Sequence, residues 1–411
     1  MYTITHFLPG IGSSILAADE LKLKSEYAFS YDMEKLIDHR DEIFKLNFPH
    51  IQLQNIDNNL HTDVGDDDFY SLKGYQDYIK ANKILPTNIV FSIPPCSGLT
   101  GQNPWIKKKL GNYEKHNNFI YDSVKFFLAQ KSDILILENS HQLFYEDKKP
   151  MIQHIVDIIT HNKLDKEYRI HLILIKSNHV GIPQTKSRAF VCIYRKPAFI
   201  EYELPKQNFD YSKFLKRPFE RDLNGIHYSW ANRTELLAEW EQWLAKDELA
   251  QETKANHKLK KANKPYRFLF TMFDKKNHVF IPEVIARFNG YPLIKEKMEE
   301  IIGEHKGGLV YNKYPIFINQ LFVSVCGKHS RYVVHPDYDR FLTLQEFADL
   351  QFLPDTFKFL RHEDFFGTMR IISRFIPTIM IKEVLNYAIK VLESNPTKSD
   401  SNILYYQNTR L

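Results

Sequence analysis

The 411-residue chain carries a mild formal charge of +5 and has a hydrophobic content of 43%, which is ordinary for a globular protein with a large core. Apolar residues never run for the roughly 18 positions that a membrane-spanning helix needs, so we expect no membrane partner. Only three cysteines are present, which argues against a disulfide framework and for a reducing compartment. The N-terminal residues lack the basic start of a signal peptide, so we expect a cytoplasmic protein.

Strand-like and helix-like segments alternate over the first 195 residues. The strand-like segments are short, nearly continuous apolar runs, which are typical of strands buried on both faces of a parallel sheet. In chain order, strands are expected at 3–8, 87–93, 132–139 and 168–176, and helices at 13–23, 117–130 and 149–162. The alternation predicts a doubly wound α/β domain.

Residues 196–335 differ in character from this first domain. They are rich in aromatic residues and lysine, and they include the basic stretch KANHKLKKANKPYR at 254–267. Their formal charge is about +6, so they carry the whole positive surplus of the chain. A mild surplus of this kind fits a nucleic-acid partner without requiring one.

Regular helical spacing returns after residue 340. Thr343 and Glu346 form a capping box that predicts the start of a helix, and residues 377–393 form an amphipathic helix with Pro377 near its start. We therefore divide the chain into a first domain, a different second domain and a C-terminal segment, with bounds at 1–195, 196–335 and 336–411.

A glycine-rich turn follows the first predicted strand. In LPGIG, Gly10 and Gly12 let the backbone approach a ligand closely, with N–H groups exposed at the start of a helix. About 20 residues further on, Asp32 ends a second strand-like run, where α/β nucleotide sites place an acid that binds ribose hydroxyls. Each feature alone also fits an ordinary turn or a surface acid, but the pair favours a nucleotide-like ligand.

Cys96 stands directly behind two prolines at the end of an apolar run, in FSIPPCSGLTG. The prolines fix φ and withhold two backbone donors, so the chain leaves the sheet as a rigid corner. A thiol at such a corner suits a nucleophile that a helix N-terminus or nearby cations activate. The alternative is a small buried thiol, which is how we interpret Cys192 and Cys326 in their strand-like surroundings.

Two further groups of polar residues follow. Glu138 and Asn139 end a buried strand at the edge where open α/β sheets bind ligands. Burial would raise the pKa of the Glu138 carboxyl, so that it could donate a proton near neutral pH. The alternative for Glu138 and Asn139 is a helix cap or an ion pair.

Gln184, Lys186 and Arg188 alternate after a Gly-Ile-Pro turn, so we expect them on one face of a strand, facing an anionic or carbonyl-rich ligand. The alternative for Gln184, Lys186 and Arg188 is an edge strand exposed to solvent.

These motifs, in this order, resemble those of the C5-cytosine DNA methyltransferases of bacterial and phage restriction–modification systems. LPGIG resembles Phe-x-Gly-x-Gly with Leu8 in place of Phe, PPCSGL resembles the Pro-Cys motif, and ENS resembles Glu-Asn-Val. QTKSR resembles Gln-x-Arg-x-Arg with Lys186 in place of the first Arg, and RFLTLQEFADLQFLPDTF at 340–357 resembles the motif that follows the target recognition domain. The resemblance covers the whole chain, and five motifs in order are far more specific than any one of them.

The resemblance implies a Rossmann-like S-adenosylmethionine-dependent methyltransferase domain with a smaller target recognition domain inserted at 196–335. It implies that the thiolate of Cys96 adds to C6 of a cytosine flipped out of double-stranded DNA, so that C5 can accept the methyl group of S-adenosyl-L-methionine. Glu138 would hold N3 of the ring, and Arg188 together with Lys186 would contact the ring carbonyl.

The same resemblance assigns the binding residues. Cofactor contacts are expected from Leu8, Gly10, Ile11, Gly12, Asp32, Asn55, Ile56, Pro94, Ser373 and Arg374. DNA contacts are expected from Ser97, Lys107, Lys108, Lys109 and Gln184, although a solvated helix face is the alternative for the three lysines. The chain departs from the family at its last motif, where Ser373 and Arg374 replace Gly-Asn and FGT at 366–368 is a competing alignment.

Other functions stay open at this point. A tRNA cytosine-5 methyltransferase is one, although SVCGKHS matches its Cys-Phe-Thr stretch poorly, and a non-catalytic DNA-binding relative is another, although Cys96 and Glu138 are both present. The altered last motif also leaves room for a transferred group other than methyl. We expect a prokaryotic or phage-encoded monomer whose partner is double-stranded DNA, with a companion restriction endonuclease as a functional rather than a physical partner.

Overall fold

The computed structural model describes residues 1–31, 40–96, 99, 115–145, 148–182, 184, 186–195, 344–359, 365–394 and 406–408, together with short pieces between 238 and 334. Five predicted site residues therefore lie outside the described residues: Asp32, Ser97, Lys107, Lys108 and Lys109. Nearly all of the segment 196–335 lies outside them as well, so its predicted role as a separate domain stays a prediction.

The described elements alternate as the sequence predicts. In chain order they are β1 (Thr3–Phe7), α1 (Ser13–Glu20), β2 (Lys24–Tyr31), α2 (Arg40–Asn47), β3 (Leu53–Ile56), α3 (Lys73–Ala81), β4 (Ile89–Ser92), α4 (Phe119–Gln130), β5 (Ile134–Ser140), α5 (Lys149–His161), β6 (Arg169–Lys176), β7 (Ser187–Tyr194), β8 (Phe273–Asp274), β9 (Val279–Phe280), β10 (Ile316–Phe317), β11 (Val333–Val334), α6 (Leu344–Leu350), α7 (Phe365–Arg374), α8 (Thr378–Glu393) and β12 (Tyr406–Asn408). The predicted helices at 117–130, 149–162 and 377–393 match α4, α5 and α8.

Eight strands form one sheet in the order β12-β6-β7-β5-β4-β1-β2-β3. Every neighbouring pair is parallel except those made by β7, which runs antiparallel to both β5 and β6. The strand order reverses between β1 and β4, which makes this the switch point where open α/β sheets leave a crevice at the carboxyl ends of their strands. The predicted doubly wound fold is confirmed.

Helices cover both faces of the sheet. On one face α3, α4 and α5 enclose a core that includes Ile79, Val124 and Ile155, and every side chain of α4 is buried. On the other face α1 packs beside α8, with Ala17 and Met380 in a shared core. The full burial of α4 explains why most of its residues are apolar.

The C-terminal helices return to the first 195 residues of the chain. Side chains of α6 and α7 share a core with α1 and α2, in which Phe347 and Ile372 meet Ile15 and Phe44. The last strand, β12, pairs with the outer edge of β6. No helix among the described residues is long and apolar enough to cross a membrane.

Candidate active site

The glycine turn between β1 and α1 lies at the switch point of the sheet. Leu8, Gly10 and Gly12 all have positive φ, at 54°, 60° and 99°. A Cβ on Gly12 would lie 2.5 Å from Cζ of Phe48 and closer still to Cε2, whereas a Cβ on Gly10 would meet nothing within 4 Å. Gly12 is therefore required by the packing of Phe48, the residue that follows α2, against the turn, and Gly10 borders open space before α1.

The loop between α7 and α8 lies against this glycine turn. The backbone N–H of Ile376 donates to Oγ of Ser13, the first residue of α1, at 3.3 Å. Ser373 and Arg374, the residues that replace the family's Gly-Asn, form the end of α7 immediately before this contact. The contact joins the segment after Arg374 to the start of α1, so the two parts of the chain that carry predicted cofactor residues lie beside each other.

The Pro94–Cys96 corner leaves β4 beside the glycine turn. The N–H of Ile93 donates to the carbonyl of Phe7 at 3.3 Å, which joins the end of β4 to the end of β1. The amide of Asn139 donates from Nδ2 to the carbonyl of Pro94 at 3.4 Å, so the neighbouring strand β5 holds the corner. Pro94 is buried and Cys96 is partly buried.

The charges around Cys96 act on its thiol in opposite directions. Burial raises the pKa of Cys96 above its ordinary value; the charge of Arg188 opposes this rise, that of Glu138 adds to it, and that of Lys186 opposes it. The four side chains therefore form one electrostatic group. A thiol with a raised pKa needs its nearby cations in order to react as a thiolate near neutral pH.

Glu138 and Arg188 form the ion pair at the centre of this group. Glu138 is 3% exposed, and its Oε1 lies 2.7 Å from Nε of Arg188. Because β7 runs antiparallel to β5, its first residues lie at the carboxyl end of β5, with Arg188 opposite Ser140. Arg188 is therefore the diagonal neighbour of Glu138 on the same face of the sheet. Burial raises the pKa of the Glu138 carboxyl, while Arg188 and Lys186 oppose the rise.

The predicted alternation of Gln184, Lys186 and Arg188 along one strand is wrong. Strand β7 begins at Ser187, so only Arg188 belongs to it. Gln184 is fully buried, and its Nε2 donates to the carbonyl of Leu350 in α6 at 2.5 Å. Gln184 therefore packs against the C-terminal segment, and its predicted contact with DNA stays a prediction.

Lys186 is buried as well, beside the C-terminal segment. It is 2% exposed, and its Nζ donates to the carbonyl of Phe375 at 2.6 Å. The sequence could not show this contact, because the partner lies 189 residues away in the chain. Of the three, Arg188 forms the ion pair with Glu138, and the charge of Lys186 also acts on the Glu138 carboxyl.

The predicted adenosine side of the cofactor site lies at the ends of β2 and β3. Asn55 is exposed and Ile56 is buried, and both lie within β3 rather than beyond it. Tyr31 is the last residue of β2 and immediately precedes Asp32. In the sheet, β3 lies on one side of β1 and β4 on the other. Asn55 and Ile56 in β3 are therefore separated by β1 and β2 from Cys96, which follows β4.

A buried ionic cluster next to Tyr31 was missed by the sequence reasoning. Asp122 in α4 is fully buried; it pairs with Nδ1 of His61, and its Oδ1 lies 3.1 Å from Nζ of Lys125, which is also buried. The ring of His61 stacks on that of Phe119 with centroids 4.3 Å apart. The available signal was an acid and a lysine three residues apart on a helix of mostly apolar residues.

The glycine turn fits the methionine end of S-adenosylmethionine. The open space beyond Gly10 gives a ligand room to approach the backbone, and the positive end of the helix dipole at the start of α1 favours a carboxylate. Gly10, Ile11 and Gly12 would hold the cofactor there, with Ser373 and Arg374 close by. When bound, the cofactor supplies an electrophilic methyl group.

Comparison with solved structures identifies the fold. A DNA modification methyltransferase encoded within an E. coli prophage is similar at 15% identity with a TM-score of 0.57, over 96% of this chain and 100% of that one. The Entamoeba histolytica methyltransferase EhMeth is similar at 12% identity with a TM-score of 0.55, over 96% of this chain and 99% of that one. The fold is that of the S-adenosylmethionine-dependent methyltransferases.

The family follows from the sequence itself. The family model of the C-5 cytosine-specific DNA methylases matches residues 73–390. This match spans most of the chain, so the chain belongs to that family. The predicted family, the enzyme class of DNA cytosine-5 methyltransferase and the cofactor are confirmed. Comparison with curated proteins gives no match.

Proposed function

We propose that this protein methylates C5 of a cytosine in a specific sequence of double-stranded DNA through a covalent intermediate at Cys96. The observation that carries the proposal is the grouping of Cys96 with the Glu138–Arg188 ion pair at the switch point of the sheet. A nucleophile, an acid and a fixed cation at one crevice are the groups that addition to a pyrimidine ring needs.

Cys96 is the nucleophile. Its thiolate attacks C6 of the cytosine, a bond forms between Sγ and C6, and the electrons of the C5–C6 double bond make C5 nucleophilic. Once C5 has taken the methyl group, with S-adenosylhomocysteine left as the by-product, C5 loses its proton to water and the bond between Sγ and C6 breaks, which restores the double bond and the thiolate. The amide of Asn139 supports this step by fixing the Pro94 carbonyl and so the corner on which Cys96 stands.

Glu138 and Arg188 stabilise the ring during the addition. A carboxyl with a raised pKa holds a proton closer to neutral pH, so Glu138 can protonate or hydrogen-bond N3 as electron density moves onto the ring. Arg188 keeps that carboxyl in place and directs its positive charge toward the carbonyl oxygen of the ring. This pair therefore supplies the electrostatic stabilisation that the addition step requires.

The DNA-binding parts of the proposal rest on the sequence. The target cytosine is inside a duplex and must be flipped out to reach Cys96. Residues 196–335 would act as the target recognition domain. In the segment that follows Cys96 in the sequence, Ser97, Lys107, Lys108 and Lys109 would contact the DNA. A monomeric state, a prokaryotic or phage origin and a companion restriction endonuclease stay predictions.

Methyl transfer from labelled S-adenosylmethionine tests the proposal. Wild-type protein is incubated with a duplex DNA library and, separately, with tRNA; Cys96→Ala is compared with Cys192→Ala, which removes a buried thiol from β7. We expect label in duplex DNA with wild type and Cys192→Ala and none with Cys96→Ala. Label found only in tRNA would show that tRNA rather than DNA is the substrate. Full activity of Cys96→Ala would refute the covalent mechanism.

A further inference from the structure

The α7–α8 loop joins the two halves of the proposed site. Phe375 is the first residue after α7, and the next residue, Ile376, donates its N–H to Ser13 at the start of α1. The carbonyl of Phe375 accepts a hydrogen bond from Nζ of Lys186. One short loop is thus fastened on one side to the glycine turn and on the other to the segment that leads into β7.

A lysine suits this position for a physical reason. The last carbonyls of a helix have no partner within the helix and carry partial negative charge, so a cation at a helix C-terminus is favourable. Phe375 follows the last residue of α7, and the ammonium group of Lys186 donates to its carbonyl from a nearly fully buried position. An ammonium group is a compact, strongly hydrated point charge, so its burial requires hydrogen-bond acceptors such as this carbonyl.

The backbone of Lys186 is held as firmly as its side chain. Its carbonyl accepts hydrogen bonds from the N–H of Ser177 at 2.8 Å and from Oγ of Ser177 at 2.7 Å. Gln184, two residues earlier, donates to the carbonyl of Leu350 in α6. Residues 184 and 186 therefore both direct buried donors to backbone carbonyls of the C-terminal segment, whereas residue 188 faces Glu138.

We propose that Lys186 is a positioning residue for the cofactor site: its ammonium group fastens the α7–α8 loop against the glycine turn, and it does not contact the target base. Its fixed position also places one positive charge beside the catalytic pair. The inference rests on the proposed function, because it assumes that the glycine turn holds S-adenosylmethionine. It gives the lysine that replaces the family's arginine a role of its own.

The test is equilibrium binding of S-adenosylmethionine in the absence of DNA, measured by calorimetry on the full chain. Lys186→Met keeps the length of the side chain and removes the charge; we expect affinity to fall by about tenfold or more, the effect of losing one hydrogen bond from a charged group. Lys186→Arg keeps a donor and a charge, so most of the affinity should return. Lys176→Met, a partly exposed lysine at the end of β6, is the control and should bind like wild type.

Hydrogen exchange supplies a second readout that a base contact would not change. In Lys186→Met the amide of Ile376 should exchange faster than in wild type, because the loop that it anchors is no longer held. If Lys186→Met does not fold, Lys186→Gln, which keeps a neutral donor, takes its place and should show the same two effects to a smaller degree.

The outcomes separate this inference from the proposed function. Unchanged cofactor affinity and unchanged exchange in Lys186→Met, with a slower reaction on DNA, would show a base contact and overturn the inference. Weakened cofactor binding with recovery in Lys186→Arg would support it, even if the wild type failed to methylate DNA. A wild-type protein that does not bind S-adenosylmethionine would overturn both.

Discussion

The two glycines of the turn after β1 should respond differently to the same substitution. Gly12→Ala places a methyl group inside the ring of Phe48 and forces a residue with a side chain to adopt a φ of 99°. The left-handed backbone costs about 1–2 kcal/mol, and overpacking a close-packed site adds about 1–3 kcal/mol. We therefore expect Gly12→Ala to lower the free energy of unfolding by about 2–5 kcal/mol.

Gly10→Ala is the matched control for that prediction. Its φ is 60°, but its Cβ would meet nothing within 4 Å, so only the backbone penalty of about 1–2 kcal/mol applies. Urea denaturation followed by circular dichroism compares the two variants. Equal losses of stability would refute the claim that Phe48 packs against Gly12. Gly10→Ala should instead weaken S-adenosylmethionine binding, because its methyl group enters the space that the cofactor would use.

Three further predictions concern the charged groups of the site and of α4. Glu138→Gln should speed the alkylation of Cys96 by iodoacetamide at neutral pH, since the Glu138 charge raises the pKa of the thiol, while abolishing methyl transfer; slower alkylation would contradict this electrostatic coupling. Arg188→Met should slow alkylation and move its pH profile upward, because the Arg188 charge lowers the pKa of the thiol; an unmoved profile would show that Arg188 does not act on Cys96. Asp122→Ala leaves the buried ammonium of Lys125 without its carboxylate and should lower the free energy of unfolding by about 3–5 kcal/mol in urea titrations; a loss below about 1 kcal/mol would mean that the pair is not buried as described.

In the wild-type protein, the pKa of the Cys96 thiol should lie above that of a free cysteine. Because burial raises its pKa, the thiolate fraction at a given pH is smaller than for a free cysteine, and the alkylation rate of Cys96 should still rise with pH beyond the usual cysteine range. Mass spectrometry of the alkylated peptide, with Cys96→Ala as the blank, follows the rate. A plateau below pH 8 would contradict this, and it would mean that the cations outweigh burial.

Local signals were sufficient to predict where the strands end and which polar residues lie there. The apolar runs before Gly10, Cys96 and Glu138 are short and end in turn-forming or polar residues, so the carboxyl edge of the sheet could be located from sequence. Parallel strands bring their carboxyl ends to one edge, and the grouping of these residues follows from that geometry.

Contacts between distant parts of the chain could not be predicted in the same way. Gln184 and Lys186 alternate with Arg188 in sequence, but β7 begins only at Ser187. Their donors are taken by carbonyls of Leu350 and Phe375, more than 160 residues away. The spacing of residues in the local sequence does not predict these contacts. Whether Gln184 and Lys186 lie on a strand or in a buried contact depends on how the C-terminal segment packs.

The ionic cluster of α4 was hidden for a related reason. Asp122 and Lys125 look like a solvated pair on a helix surface, which is where such pairs usually lie. Their burial follows from α3 and from the loop after β3, which cover this part of the helix and bring His61 to Asp122. The pairing of Asp122 with both His61 and Lys125 is what permits charges to lie in that position.

The most direct test of the account is a trapping experiment with 5-fluorocytosine. A duplex library carrying this base is mixed with the wild-type protein and S-adenosylmethionine, and the protein is digested and examined by mass spectrometry. Fluorine at C5 cannot leave as a proton does, so the bond between Sγ and C6 should persist. The account predicts a DNA adduct on the peptide that contains Cys96, dependent on the cofactor and absent from Cys96→Ala. Intact binding of cofactor and duplex with no adduct would contradict the covalent mechanism.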